Sequence, residues 1–249
     1  MYSAKQFKKI VSEKKENFYY YRRKVRMRFS IDSKKIDHLK PTIKCKKKWY
    51  GNSYGGFYVN PHLIDKHSIV YSFGIGKDIS FDRKIISRHK CKVFGFDPTP
   101  TSIDYINSLP IEPLFAFYGY GISTKTGIEK FYLPEEGKGI SGSLLLNQFV
   151  SDKGYIEVKM KSFDDISNEL GHKHVDIVKM DIEGAEYEVL ETLMNSKVTI
   201  KQLLVEFHDR FHPEEVKSKQ ITQLLNKNGF EVFASSLNYE EISFINTKI

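Results

Sequence analysis

Short, nearly unbroken apolar runs alternate along this chain with stretches of helical spacing. Val175, Ile177, Val178 and Met180 make one such run, the pattern of a strand covered on both faces of a parallel sheet. Ala185, Val189, Leu190, Leu193 and Met194 follow at helical spacing. Ile69–Phe73, Val93–Phe96, Leu114–Tyr118 and Leu203–His208 read as further strands. Between them, Ile79, Phe81, Ile85 and Ile86 predict a helix, and Thr99 with Pro100 predicts the capped start of another, ended by Pro110. Pro213 opens a helix carrying Val216, Ile221, Leu224 and Leu225, closed by Asn228-Gly229. Phe230–Phe233 and Ile242–Ile245 complete the pattern as an antiparallel pair at one sheet edge. The expected fold is α/β: a Rossmann-like, mostly parallel sheet with an antiparallel C-terminal edge.

Three stretches depart from this rhythm. Residues 1 to about 40 read as one or two helices, with Phe7, Ile10 and Val11 at helical spacing and Pro41 as the stop. Lys48–Val59 combines glycine turns with Trp49, Tyr50, Tyr54, Phe57 and Tyr58, which predicts a hairpin or flap. Residues 123–155 hold turns and short strands, with Gly137, Gly139 and Gly142 marking loops, before Ile156–Met160 alternates as an exposed strand does. No internal repeat is visible. The expected division is a basic helical extension over residues 1–47 and one α/β domain over residues 48–249.

Composition narrows the possibilities. In 249 residues, 40% are hydrophobic and 28% charged, enough to build a packed core. No apolar run reaches the roughly 18 residues that span a bilayer, and the Lys- and Tyr-rich start lacks the apolar region of a secretory signal; a cytoplasmic location is expected. Cys45 and Cys91 lie far apart and fit no metal-finger spacing, so free thiols are expected. The net charge of +8 is concentrated in the first fifty residues. Such a block fits nucleic acid, anionic lipid or an anionic substrate, or is simply a solvated face. Tyr19, Tyr20, Tyr21 and Trp49 interleave with it, which suits stacking on bases or sugars.

The carboxyl ends of the predicted strands deliver Gly74-Ile75-Gly76, Asp97, Gly119–Gly121, Asp181 with Glu183, and Glu206 with His208. In a doubly wound sheet these ends share one crevice. Glycines after the first strand let a ligand approach the backbone, and an acid about 20 residues on can bind ribose hydroxyls. The dinucleotide fingerprint needs a third glycine, yet Lys77-Asp78-Ile79 follows Gly76, and no Gly-Lys-Ser/Thr phosphate loop occurs. A cofactor with a ribose but no phosphate fits better. S-adenosylmethionine meets that description, and its sulfonium complements the acids.

The segments Tyr71–Asp82, Val93–Thr99, Asp176–Glu186 and Leu204–His208 resemble the FkbM-type methyltransferases, in the branch of methyltransferase-like protein 24, and Gly55-Gly56 with its aromatics is similar too. The likeness covers roughly residues 48–249. It implies a class I methyltransferase fold, S-adenosylmethionine as donor, and a hydroxyl on a sugar or glycan as acceptor. It also implies that Gly74, Ile75 and Gly76 approach the donor, that Asp97, beside Pro98, holds the ribose, and that Tyr120, Gly121 and Ile122 contact adenine. Asp181 falls near the transferred methyl group. Asp78 departs from the usual spacing of the acidic first motif.

An alcohol must lose its proton as it is methylated. His208, Asp181, Glu183 and Glu206 are the candidate bases, and His208 has the most suitable unperturbed pKa, about 6.5. A metal is not the favoured reading, though Asp181, Glu206 and His208 form a possible divalent-cation set. Nucleic acid is a less favoured acceptor, since no Asn/Asp-Pro-Pro-Tyr/Phe motif appears. A non-catalytic nucleoside-binding module and an NAD-dependent dehydrogenase are the remaining alternatives.

Overall fold

The computed structural model describes residues 15, 18–29, 35–110, 112–134, 142–144, 150–212 and 214–249. Phe7, Ile10, Val11, Gly137, Gly139 and Pro213 lie outside the described residues. The central sheet has seven strands: β3 (Ile69–Phe73), β4 (Lys92–Phe96), β5 (Phe115–Tyr118), β9 (His174–Met180), β10 (Thr199–Glu206), β11 (Phe230–Ser235) and β12 (Glu241–Asn246). Their order is β11-β12-β10-β9-β3-β4-β5. The five strands from β10 to β5 are parallel, and β12 and β11 close the edge antiparallel. This is the mostly parallel sheet with an antiparallel C-terminal edge that the apolar runs predict.

The runs are continuous because both faces of the sheet are covered. Tyr71, Phe73, Val178, Met180, Leu203 and Val205 point into one core with Leu190, Leu193 and Leu225. Their neighbours Val70, Ile177 and Leu204 point into the other, with Phe57, Phe81 and Ile85. Alternate residues of one strand thus feed opposite cores. The helices that cover the faces are α2 (Ser80–His89), α3 (Pro100–Asn107), α4 (Phe163–Leu170), α5 (Glu186–Leu193) and α6 (Lys217–Lys227). Thr99 caps α3 by accepting from the Ser102 amide, with Pro100 in its first turn, as its sequence indicates.

The N-terminal half holds α1 (residues 18–29) and the hairpin of β1 (Lys48–Tyr50) with β2 (Phe57–Val59). The hairpin packs on the sheet through Ser243 Oγ, which donates to the Tyr58 carbonyl. Helix α1 leans on the C-terminal edge and the hairpin: Lys24 pairs with Glu241 and lies over Trp49, and Tyr20 meets Tyr54 at 4.9 Å between ring centroids. Ile36 and Leu39 are buried in the main core, so the packed unit reaches back past residue 48.

Two details differ from the sequence reading. Helix α6 begins at Lys217, after a short turn at Asp209–Phe211, because Asp209 accepts from the Ser218 amide at 2.9 Å and holds the chain off the helical path until there. The alternation at Ile156–Met160 belongs to a longer strand, β8 (Val150–Lys161), which pairs with β7 (Gly127–Pro134) and β6 (Gly121–Ile122) in a separate three-stranded sheet.

Candidate active site

The turn after β3 comes within touching distance of β9. Gly74 has φ +76, and a Cβ built on it would lie 1.6 Å from the Asp181 carbonyl oxygen. Only glycine fits there. On the far side, Lys179 Nζ donates to the Gly74 carbonyl at 2.7 Å. This lysine is almost fully buried and partners the buried Asp82, whose carboxyl is pushed up chiefly by burial, against the pull of Lys179.

Asp97, at the end of β4, braces the same turn. Its Oδ2 accepts from the Ile75 and Gly76 amides, both at 2.9 Å. Its Oδ1 accepts from the Thr99 amide at 2.9 Å and the Thr99 hydroxyl at 2.6 Å. Four donors match the acceptor capacity of a carboxylate, so a ribose diol must displace one or more of them to bind here. The carboxylate thus supports the loop on which a donor would rest. Asp97→Ala removes that brace and is expected to weaken donor binding roughly 10- to 100-fold by calorimetry, the scale of losing charge-assisted hydrogen bonds.

Gly74, Asp97, Pro98, Gly121, Ile122, Asp181 and Glu183 line one cleft, with Phe96 and Met160. Tyr120 does not line it. Its ring packs at 5.6 Å from Phe96 and 5.5 Å from Tyr118, with Lys161 over its face. Ile75 is buried behind the turn, and Gly76 has φ +54 with open space at its Cα. Asp78 turns away from the cleft. It accepts from the Ser80 amide and from Asn52 Nδ2, both at 2.8 Å, and so ties the glycine turn to the flap. A second concavity runs along α1, among Phe18, Tyr19, Arg22, Arg23 and Arg26. Its described walls belong to one helix and no strand end reaches it.

Beside the cleft, Asp181 and Glu183 join a second group. His208 Nε2 lies 3.3 Å from Glu183 Oε2 and 3.7 Å from both Asp181 Oδ1 and Glu206 Oε1. His208 Nδ1 lies 2.5 Å from Glu186 Oε1, and both these side chains are fully buried. Arg210 reaches Glu183, Glu206 and Glu240 at the rim. Burial pushes the His208 imidazole down, but Glu186, Glu183 and Glu206 outweigh it and hold the ring well above its ordinary range. Burial pushes Asp181 up to about 6, opposed by Lys179 and reinforced by Glu183. Glu206 is raised well above the carboxylate range by burial and by Asp181 and Glu241.

Sequence reasoning missed three members of this group. Glu186 reads as a charge favourable at a helix start, yet it is completely buried. It shares the spacing of Val189, Leu190 and Leu193, and a carboxylate on an apolar stripe must find a buried partner; that signal was available. Arg210 follows the acids without any motif. Tyr54 arrives from the flap. Burial and the charges of Asp181, Glu206 and Glu183 raise its hydroxyl pKa. Glu183 itself has φ +53, left-handed for a non-glycine residue, a strain of about 1 kcal/mol or more that clusters at functional sites.

Residues 64–232 match the family described as Methyltransferase FkbM domain. The hexuronic acid methyltransferase AglP of Haloferax volcanii is 28% identical over 169 residues, 67% of this chain and 66% of AglP. Probable methyltransferase-like protein 24 of Rattus norvegicus is 24% identical over 73% of this chain and 42% of its own length. The chain therefore spans just under two thirds of AglP and less than half of the rat protein. Among solved structures, the Methanococcus jannaschii fibrillarin pre-rRNA processing protein aligns over 83% of this chain and 86% of its own, at 12% identity and TM-score 0.44. Among the described residues no helix is long and apolar enough to cross a membrane. The cleft fits S-adenosylmethionine in kind: a close glycine turn and a floor of carboxylates that complements a sulfonium. With the family match covering more than half of its length, this chain belongs to the FkbM methyltransferases, whose methyl donor is S-adenosylmethionine.

Proposed function

We propose that this chain transfers a methyl group from S-adenosylmethionine to a hydroxyl of a sugar or glycan. The observation that carries the reading is that Asp181 and Glu183 belong both to the cleft and to the acid–imidazole group beside it. A donor in the cleft and an acceptor over that group would meet at Asp181. When bound, S-adenosylmethionine supplies an electrophilic methyl group on a sulfonium that departs as a neutral thioether. The chain's part is to hold the donor turn, aim the acceptor oxygen and receive its proton. Gly74–Gly76, braced by Asp97 and Lys179, does the first. Asp181, Glu183, Glu206 and His208 orient the hydroxyl, and a carboxylate of this group takes the proton.

AglP is named for acting on hexuronic acid, and that name favours a sugar as the acceptor class. Tyr54, in contact with Tyr20 and within the electrostatic reach of Asp181, Glu206 and Glu183, offers a face on which a sugar ring stacks. Tyr54→Ala is expected to raise the acceptor KM roughly 2- to 10-fold, about 0.5–1.5 kcal/mol of ring contact, and to leave donor affinity unchanged.

The test supplies labelled donor with sugar and glycan acceptors, and RNA in a parallel arm. Mass spectrometry is expected to find O-methylated sugar. Methylated RNA with no sugar product overturns the acceptor class. Stabilisation on heating by NAD, but not by S-adenosylhomocysteine, overturns the donor assignment.

A further inference from the structure

The group at the end of β9 and β10 contains an arrangement that acid–base chemistry alone does not use. His208 is fully buried, and both ring nitrogens face carboxylates, Nδ1 that of Glu186 and Nε2 those of three further acids. Glu186, 2.5 Å from Nδ1, favours the proton on that nitrogen. Nε2 faces oxygens of Asp181, Glu183 and Glu206 at 3.3–3.7 Å. Three carboxylates crowded around one ring nitrogen need positive charge among them, which a proton on the ring or a bound cation supplies.

We infer that Asp181, Glu206 and His208 bind one divalent cation of the Mn²⁺ or Mg²⁺ class.

Three observations support it. One ligand atom from each residue lies within 4.8 Å of the others, and Nε2 is 3.7 Å from an oxygen of each acid. Ligands about 2.1 Å from one ion stand roughly 3 to 4.2 Å apart, and both Nε2–oxygen distances fall in that range. Glu186 holds the remote nitrogen of His208, the carboxylate–histidine support that orients metal-ligating imidazoles. Finally, positive charge is short. Arg210 is shared among Glu183, Glu206 and Glu240, and Lys179 serves the Gly74 carbonyl and the buried Asp82. Two carboxylates with one imidazole suit Mn²⁺, which accepts both oxygen and nitrogen ligands. The open positions of the ion would then take neighbouring hydroxyls of the acceptor. That role rests on the sugar-methylation reading; cation binding itself does not.

The experiment strips the full chain with chelator, removes the chelator, and titrates Mn²⁺ alone, following the free-ion signal by electron paramagnetic resonance. One Mn²⁺ per chain is expected. Glu206→Gln, which keeps the shape of the side chain, and His208→Ala should each weaken binding tenfold or more. Glu186→Gln should weaken it about 10- to 100-fold through the histidine. The exposed Glu157→Gln should leave it unchanged. Circular dichroism and melting confirm that each variant is folded; should His208→Ala fail to fold, Glu206→Gln and Glu186→Gln decide. No binding by the wild-type chain at millimolar Mn²⁺, or binding that folded Glu206→Gln and Glu186→Gln leave intact, overturns the inference. Methylation of a sugar by chelator-treated protein would leave the proposed function standing while removing the cation's role. Mn²⁺ binding without methyl transfer to any sugar would do the reverse.

Discussion

Gly74→Ala is expected to abolish donor binding and to destabilise the fold by roughly 3 kcal/mol or more. The added Cβ would meet the Asp181 carbonyl oxygen at 1.6 Å, a backbone atom that no rotamer change can move aside. Residue 74 also has φ +76, and a left-handed, non-glycine residue costs about 1–3 kcal/mol before overpacking adds a similar amount. Relief requires β3 and β9 to separate at their carboxyl ends. That movement would also break the Lys179 contact to the Gly74 carbonyl and the hydrogen bond from the Asp181 amide to the Phe73 carbonyl. Urea unfolding and calorimetry with S-adenosylhomocysteine check this together. A variant as stable as the parent, with donor affinity intact, would mean that the turn does not approach β9 as described.

Asp181→Asn is expected to act on the reaction with little effect on the fold. The substitution keeps the side-chain shape while removing the charge and the proton-accepting capacity. Turnover should fall about 10²–10⁴-fold, the usual contribution of a positioned acid–base group, while donor affinity stays within a fewfold. Single-turnover measurements with saturating donor separate the two. If turnover is unchanged, the proton leaves by another route and Asp181 is not the meeting point. If donor affinity collapses instead, Asp181 is chiefly a binding residue for the sulfonium.

Much of this architecture is legible because burial on two faces writes itself as unbroken apolar runs. Val175–Met180 and Leu203–Val205 could be placed as interior strands, and their carboxyl ends located Asp181, Glu206 and His208 together. Residues whose role depends on distant partners were harder to read. Asp97 sits where a ribose ligand belongs, but the chain order does not reveal that two amides and Thr99 already occupy its carboxylate. Tyr120 stands beside Gly121 in sequence, yet its ring turns onto Phe96 while its neighbour lines the cleft. His208 reads as an ordinary titrating ring until Glu186, carried on α5, is seen buried against it. The separate sheet of β6, β7 and β8 left only five alternating residues as a trace, because the apolar residues of β7, Ile128, Phe131, Tyr132 and Leu133, do not alternate with polar ones and two of them are exposed.

The coupling of flap and donor turn also has a physical origin. Asn52 accepts from the Tyr54 and Gly55 amides with its side-chain oxygen, at 2.7 and 2.9 Å, and donates to Asp78 with its nitrogen. One amide side chain therefore sets the flap tip relative to the helix that follows the glycine turn. An occupied donor turn would present Tyr54 in a fixed place over the acids, which suits ordered assembly of the two substrates.

The most direct test of the central claim is a crystal structure with S-adenosylhomocysteine bound. The account predicts the ligand in the cleft between the Gly74 turn, Asp97 and Gly121, with its sulfur directed at Asp181 and the His208 group beyond it. A ligand bound elsewhere, or one whose sulfur faces away from Asp181, would contradict the account.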